Sequence, residues 1–332
     1  MAAPLGQFWT SRRLILAATA LVIFPTAASA QLQAEPDESN PIRYRSSPGV
    51  SVTRDVVFAR YDGRHLQLDL YEPRGKRTQR PAIVVISGGG WTAPGRVQPG
   101  LIAAALAERG VIAAAIEYRT ARELPFPAAV QDLKAAVRWL RANAGRYCAD
   151  PEAIAVMGGS SGGHVALLAA LSHGVAGFEG GGGHNNVSSR AQAVIAMAAP
   201  SDLARLTPPG ISTAERFLGV PLARDRARWV HASPISHVDR GDPRVFLLHS
   251  AIDRAVPIAQ TVKLSQRLRE VGRDPQVQIY PNAPHAFWMY QPWHAQSMDE
   301  AAKFLHDLPE HPARQTSCRE SRGAEPEMAR TG

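Results

Sequence analysis

The chain has 332 residues, of which 45% are apolar, 20% charged and 7% aromatic, with only two cysteines; this excludes a wholly disordered chain, a collagen and a disulfide-stapled miniprotein. The formal net charge is +8, yet four of the 37 cations are lysines and the arginines are scattered without a run of five. A nucleic-acid binder would gather its cations into a stripe, so the charge reads as compositional bias.

Arg12 and Arg13 precede a short apolar stretch, residues 14–24, and then Ala28-Ser29-Ala30. Residues 1–30 therefore read as an export signal, cleaved between Ala30 and Gln31, with a periplasmic or secreted destination. The stretch is too short to span a bilayer comfortably, and no later segment reaches 18 apolar residues without a charge, so no stable membrane insertion is expected after cleavage. Residues 31–48 are polar and proline-rich and read as a linker. Residues 52–60 and 66–71 alternate around Asp62-Gly63, a hairpin signal. Continuous apolar runs follow at 82–86, 111–116, 153–157, 193–197 and 245–248, as expected of strands buried on both faces. Helical patterns at 98–108, 128–142, 165–172 and 258–271 lie between them. Alternating strands and helices predict an α/β fold: a mostly parallel sheet of about eight strands, helices on both faces and an N-terminal antiparallel hairpin. The catalytic domain is placed at 49–308 and a disordered tail at 309–332. The glycines of residues 177–184 do not sit between a strand and a helix, so they read as a flexible loop and not a phosphate cradle. Cys148 and Cys318 fit no metal-ligand spacing, so no zinc site is expected, and their pairing is left open.

Residues 154–164 run from a buried strand through Gly158-Gly159-Ser160-Ser161-Gly162-Gly163 into a helix. A serine on such a sharp turn needs small neighbours two positions either side, and the helix N-terminus favours negative charge. Two overlapping G-x-S-x-G registers fit, so spacing leaves Ser160 and Ser161 both open. Ser87-Gly88-Gly89-Gly90-Trp91 follows another buried strand, and its glycines leave backbone N–H groups free to meet a developing oxyanion. Asp253 and His285 each lie just past a strand, where ligands bind in open parallel sheets. Ser, Asp, His is the chain order of a hydrolase of this type. Asp202, also past a strand, is the runner-up acid or a pocket residue. His164, His237 and His249 are rivals to His285; using His164 or His249 would break the order, and both read as hydrogen-bonded structural residues.

On these motifs the chain resembles the α/β-hydrolase superfamily across about residues 56–308. The closest resemblance is to carboxylesterases of the bifunctional feruloyl and acetylxylan esterase group, with motifs shared by hormone-sensitive-lipase-like esterases. The resemblance rests on SGGGW, FPAAVQDLKAAVRWLRANA, VMGGSSGGHVALLAAL, ASPISHV and LLHSAIDRAVP. It selects Ser160 as nucleophile, with His285 as general base and Asp253 as its orienting acid. It implies an oxyanion hole from the N–H groups of Gly89, Gly90 and Ser161, and no metal or organic cofactor. The chain departs from the family at Ser87, usually His, at Ser161, usually Ala, and at Ser250, usually Gly. The first of these puts the geometry of the glycine loop in doubt. The segment 207–230 reads as a small lid, with Trp91 and Asp202 lining a shallow pocket. Short acyl or feruloyl esters of polysaccharides are the expected substrates. A peptidase or arylformamidase-like amidase, and a non-catalytic binding protein, are the rival readings.

Overall fold

The computed structural model describes Met1 and residues 38–43, 47–75 and 78–309. The chain divides into two compact units, Met1–Ala34 and Glu35–Gly332. Among the described residues, every strand and helix belongs to the second unit. The export signal and residues 310–332 lie outside the described residues. Among those described, no helix is long and apolar enough to cross a membrane.

The two alternating runs form a hairpin, β1 (Val50–Tyr61) and β2 (Arg64–Pro73), whose Asp62-Gly63 turn puts Gly63 at φ +71°. The continuous runs become β3 (Arg80–Ile86), β4 (Ile112–Ile116), β5 (Ala149–Gly159), β6 (Ala193–Met197) and β7 (Arg244–Ser250), joined by β8 (Gln276–Tyr280). They pair in the order β1-β2-β4-β3-β5-β6-β7-β8. The hairpin joins β4 in antiparallel fashion, and every pair from β4 to β8 is parallel.

The helices of two turns or more that connect the parallel strands are α1 (Val97–Glu108), α2 (Ala128–Ala142), then, after the single turn α3 (Ala144–Tyr147), α4 (Ser161–Leu171). Next come α5 (Gly210–Leu218), the short α6 (Arg226–His231), α7 (Ala259–Glu270) and α8 (Trp293–His306). Successive strand residues feed opposite faces. Val84 and Ile86 pack with Leu133, Val137, Leu167 and Leu264 of α2, α4 and α7. Ile83 and Val85 pack with Leu106 and Phe304 of α1 and α8.

Three expectations change here. Helix α4 starts at Ser161, four residues before its apolar pattern, because Ser161, Gly162 and Gly163 open it and Gly162 presses on the end of β3, where a Cβ would lie 2.8 Å from Ile86 O. The glycine-rich loop is packed: a Cβ at Gly182 would lie 2.7 Å from the Tyr61 hydroxyl, and Gly182 O accepts the Arg60 N–H at 3.0 Å. Part of the expected linker is anchored too, since Ile42 N–H donates to Met289 O and Gln291 N–H to Asn40 O. Cys148, at the end of α3, is disulfide-bonded; Cys318, the only other cysteine, lies outside the described residues.

Candidate active site

The turn from β5 into α4 leaves no room for side chains on its flanks. A Cβ at Gly158 would sit 2.4 Å from the Gly162 carbonyl carbon, and one at Gly162 would sit 2.6 Å from Ser87 O. A Cβ at Gly159 would enter the Trp288 ring at 2.3 Å. Ser160 takes φ +54°, ψ −125°, a region costly for any residue with a Cβ, by about 1–3 kcal/mol. Its N–H donates to Met197 O and its carbonyl accepts from His164 N–H, so both neighbours hold it there. The structure separates the two serines that spacing leaves equal. Ser160 Oγ lies 3.0 Å from His285 Nε2, while Ser161 turns inward and accepts the Trp91 N–H at 3.1 Å.

His285 follows β8, and its Nδ1–H donates to Asp253 Oδ2 at 2.7 Å. A carboxylate can only accept, so Nδ1 carries the proton and Nε2 is free to receive one from Ser160. Asp253 follows β7 with its side chain 0% exposed. Oδ1 accepts two backbone N–H groups, from Ala255 and Val256, at 2.8 and 2.9 Å. Burial pushes this carboxyl up, but hydrogen bonds from His249 and His285, the His285 charge and the Val256 N–H outweigh it, holding the carboxyl well below the usual carboxylate range. Asp202 sits elsewhere: its backbone is tied to Gln260 and its carboxylate faces Arg205 at 3.9 Å. His237 bonds the His231 carbonyl.

His249 is structural, as its place in the chain order suggests, but it also touches the acid. Its Nε2–H donates to Val256 O at 2.9 Å and lies 3.4 Å from Asp253 Oδ2, while Thr261 Oγ1 bonds Nδ1 at 2.8 Å. Losing a hydrogen bond to a charged group costs about 1.5–3 kcal/mol. His249→Ala is therefore expected to lower kcat about 10- to 100-fold at unchanged KM. Steady-state kinetics, with a thermal melt to verify folding, check this.

The glycine loop after β3 strings three positive φ angles together: Gly89 at +100°, Gly90 at +63° and Trp91 at +61°. Gly88 N–H is taken by Gln98 Oε1 and Trp91 N–H by Ser161 Oγ. Among the described residues, the Gly89 and Gly90 N–H groups donate to no protein acceptor, which leaves them for a ligand. Ser87 ties the loop by donating to Ala93 O at 2.6 Å. Ser161→Ala would remove one neutral bond of about 1 kcal/mol from this loop. It is expected to lower kcat about fivefold by the same assay.

Trp91 corrects an expectation. It is 3% exposed, stacks on Phe217 of α5 at 4.7 Å, and donates through Nε1 to His164 Nδ1 at 3.2 Å. No open face is left for a substrate ring. His164 in turn donates through Nε2 to Ala232 O at 2.8 Å; burial pushes its pKa down to about 4 despite that bond, so it stays neutral. The segment read as a lid holds α5 and α6, with the Thr213 methyl where a Gly90 side chain would go.

The comparisons with known proteins agree with this architecture. LipM of Mycobacterium tuberculosis, described as a probable carboxylic ester hydrolase, is 33% identical over 242 residues, spanning 70% of this chain and 56% of that protein. Esterase LipQ of the same organism is 32% identical over 252 residues, spanning 71% and 57%. The chain thus covers little more than half the length of these relatives. A solved carbohydrate esterase from gut microbiota, in truncated form, superposes with TM-score 0.71 at 26% identity, covering 83% of this chain and 99% of that one. The butyrate-bound esterase Est2 of Thermogutta terrifontis gives 0.66 at 26%, covering 80% and 97%. These neighbours share the α/β-hydrolase fold. The BD-FAE family model matches residues 68–268, from within β2 to near the end of α7, and the chain is a member of that family.

Proposed function

We propose that this chain is a serine carboxylic-ester hydrolase that works through an acyl-enzyme. The observation that carries this reading is one continuous line of hydrogen bonds, Ser160 Oγ to His285 Nε2 at 3.0 Å and His285 Nδ1 to Asp253 Oδ2 at 2.7 Å. Ser160 Oγ attacks the ester carbonyl carbon as its proton passes to His285 Nε2. Asp253 stabilises the imidazolium that forms. The new oxyanion takes hydrogen bonds from the N–H groups of Gly89, Gly90 and Ser161, each worth roughly 3 kcal/mol. Collapse breaks the C–O bond, and the alcohol leaves with the proton from His285. Water then attacks the acyl-enzyme by the same route and frees the acid.

Short acyl or feruloyl esters of polysaccharides are the proposed substrates. Est2 is described with butyrate and with propionate bound, and a structural relative is described as a carbohydrate esterase. Residues 1–30 support export ahead of such a role. Rates on p-nitrophenyl acetate, methyl ferulate and p-nitrophenyl palmitate, with release of acetate from acetylated xylan, test both levels. Hydrolysis of the acetate that is lost when phenylmethylsulfonyl fluoride sulfonylates Ser160, with release of fluoride, supports the esterase. A clear preference for palmitate overturns the substrate class alone, and no hydrolysis of any ester overturns the whole reading.

A further inference from the structure

His173 follows α4, and Asp239 and Asp242 lie in the loop entering β7, so two segments remote in sequence meet at the end of the sheet away from Ser160. One potential ligand atom from each falls within 4.8 Å of the others. Asp242 is 2% exposed. Its Oδ2 accepts the Asp239 N–H at 2.9 Å, while its Oδ1 is buried with no hydrogen-bond partner. His173 Nδ1 is also buried with none. Native proteins seldom leave a buried carboxylate oxygen and a buried imidazole nitrogen unmet. Arg190 and Arg273 stand near, but Arg190 Nη2 is spent on Gly241 O at 2.7 Å.

We propose that His173, Asp239 and Asp242 form a divalent-cation site of the zinc class. One imidazole and two carboxylates suit zinc, whereas calcium and magnesium favour all-oxygen shells. Ligands held at about 2.0–2.2 Å from one ion lie up to about 4 Å apart, so a small inward turn of the exposed Asp239 closes the set. Position 241 keeps the space open: a Cβ there would stand 3.1 Å from Asp239 Oδ1 and 3.4 Å from the His173 ring. The ion would tie the far end of the helix that begins beside Ser160 to the entry of β7, whose exit carries Asp253. Its role is structural, and cysteine spacing gives no hint of it because His173 joins Asp239 and Asp242 only through the fold.

The test uses the full chain stripped with a chelator, then titrated with ZnCl2 and followed by thermal unfolding and calorimetry. One zinc per chain and a rise of about 5 °C or more at saturating excess are expected. His173→Ala and Asp242→Asn should each lose that rise, measured from their own metal-free midpoints. If Asp242→Asn does not fold, the exposed Asp239→Asn replaces it. Hydrolysis of p-nitrophenyl acetate at 25 °C should stay within about twofold in His173→Ala. No rise with zinc, or a rise that survives in both variants, overturns the site. An equal rise with CaCl2 overturns the zinc class.

Discussion

Asp253→Asn is expected to lower kcat on p-nitrophenyl acetate by about 10⁴-fold while leaving KM and the fold nearly unchanged. The geometry makes the effect a matter of proton placement. Asp253 Oδ1 is fixed by the Ala255 and Val256 N–H groups, so the amide oxygen of Asn must take that place. Its NH2 then points at His285 Nδ1 and His249 Nε2. Facing a donor, His285 must carry its own proton on Nε2, where it donates to Ser160 and can no longer accept from it. His249 Nε2–H keeps its bond to Val256 O but loses the carboxylate. In the unchanged protein Asp253 is ionised throughout the mildly acidic range, so its loss of charge does not explain a fall in rate near pH 5. Its folded pKa is depressed, so its contribution to stability is present above the ordinary carboxylate value and is lost only as pH falls through the depressed one. Rate–pH profiles of both proteins check the argument; a parental rate within tenfold in Asp253→Asn would overturn it.

Ser160→Ala should cost roughly 10³-fold or more in kcat, against about fivefold in Ser161→Ala. The contrast is the sharper test, because the residues are neighbours of the same type and both elbow registers fit the sequence. Initial rates on p-nitrophenyl acetate decide it. If the large loss falls on Ser161→Ala, the nucleophile moves by one residue and the line through His285 loses its meaning. Alanine keeps a Cβ at φ +54°, so the elbow stays strained in both backgrounds and a stability change is not expected to cloud the comparison.

Much of the fold is legible in the amino-acid order, as are the strand-end positions of Asp253 and His285, whereas spacing leaves Ser160 and Ser161 both open. Strands buried on both faces announce themselves as unbroken apolar runs, and Asp62-Gly63 marks the hairpin. The elbow is legible because close approach of backbone, and of the Trp288 ring at Gly159, restricts four positions to glycine. Strand β8 is harder: Gln276–Tyr280 is an edge strand with mixed exposure and lacks the apolar run. Trp91 misleads because what buries it, Phe217 and His164, comes from distant segments. The same holds for His249 beside Asp253 and for the acceptor that Ser161 offers to Trp91. Residues 40–42 look like a linker, since a strand-like pairing of backbone with residues 289–291 leaves no mark in side-chain pattern.

The stacking of Trp91 on Phe217 has a consequence for how this scaffold would diversify. The same aromatic pair joins helix α5 to the loop that carries the Gly89 and Gly90 N–H groups. A substitution in α5 that reshapes the entrance also retunes how firmly those donors are aimed. Selectivity and turnover are thus set by one shared part. Variants selected for tighter capture of a bulky ester would be expected to lose speed, and a compensating change at Trp91 or Ser161 would be the economical way to restore it.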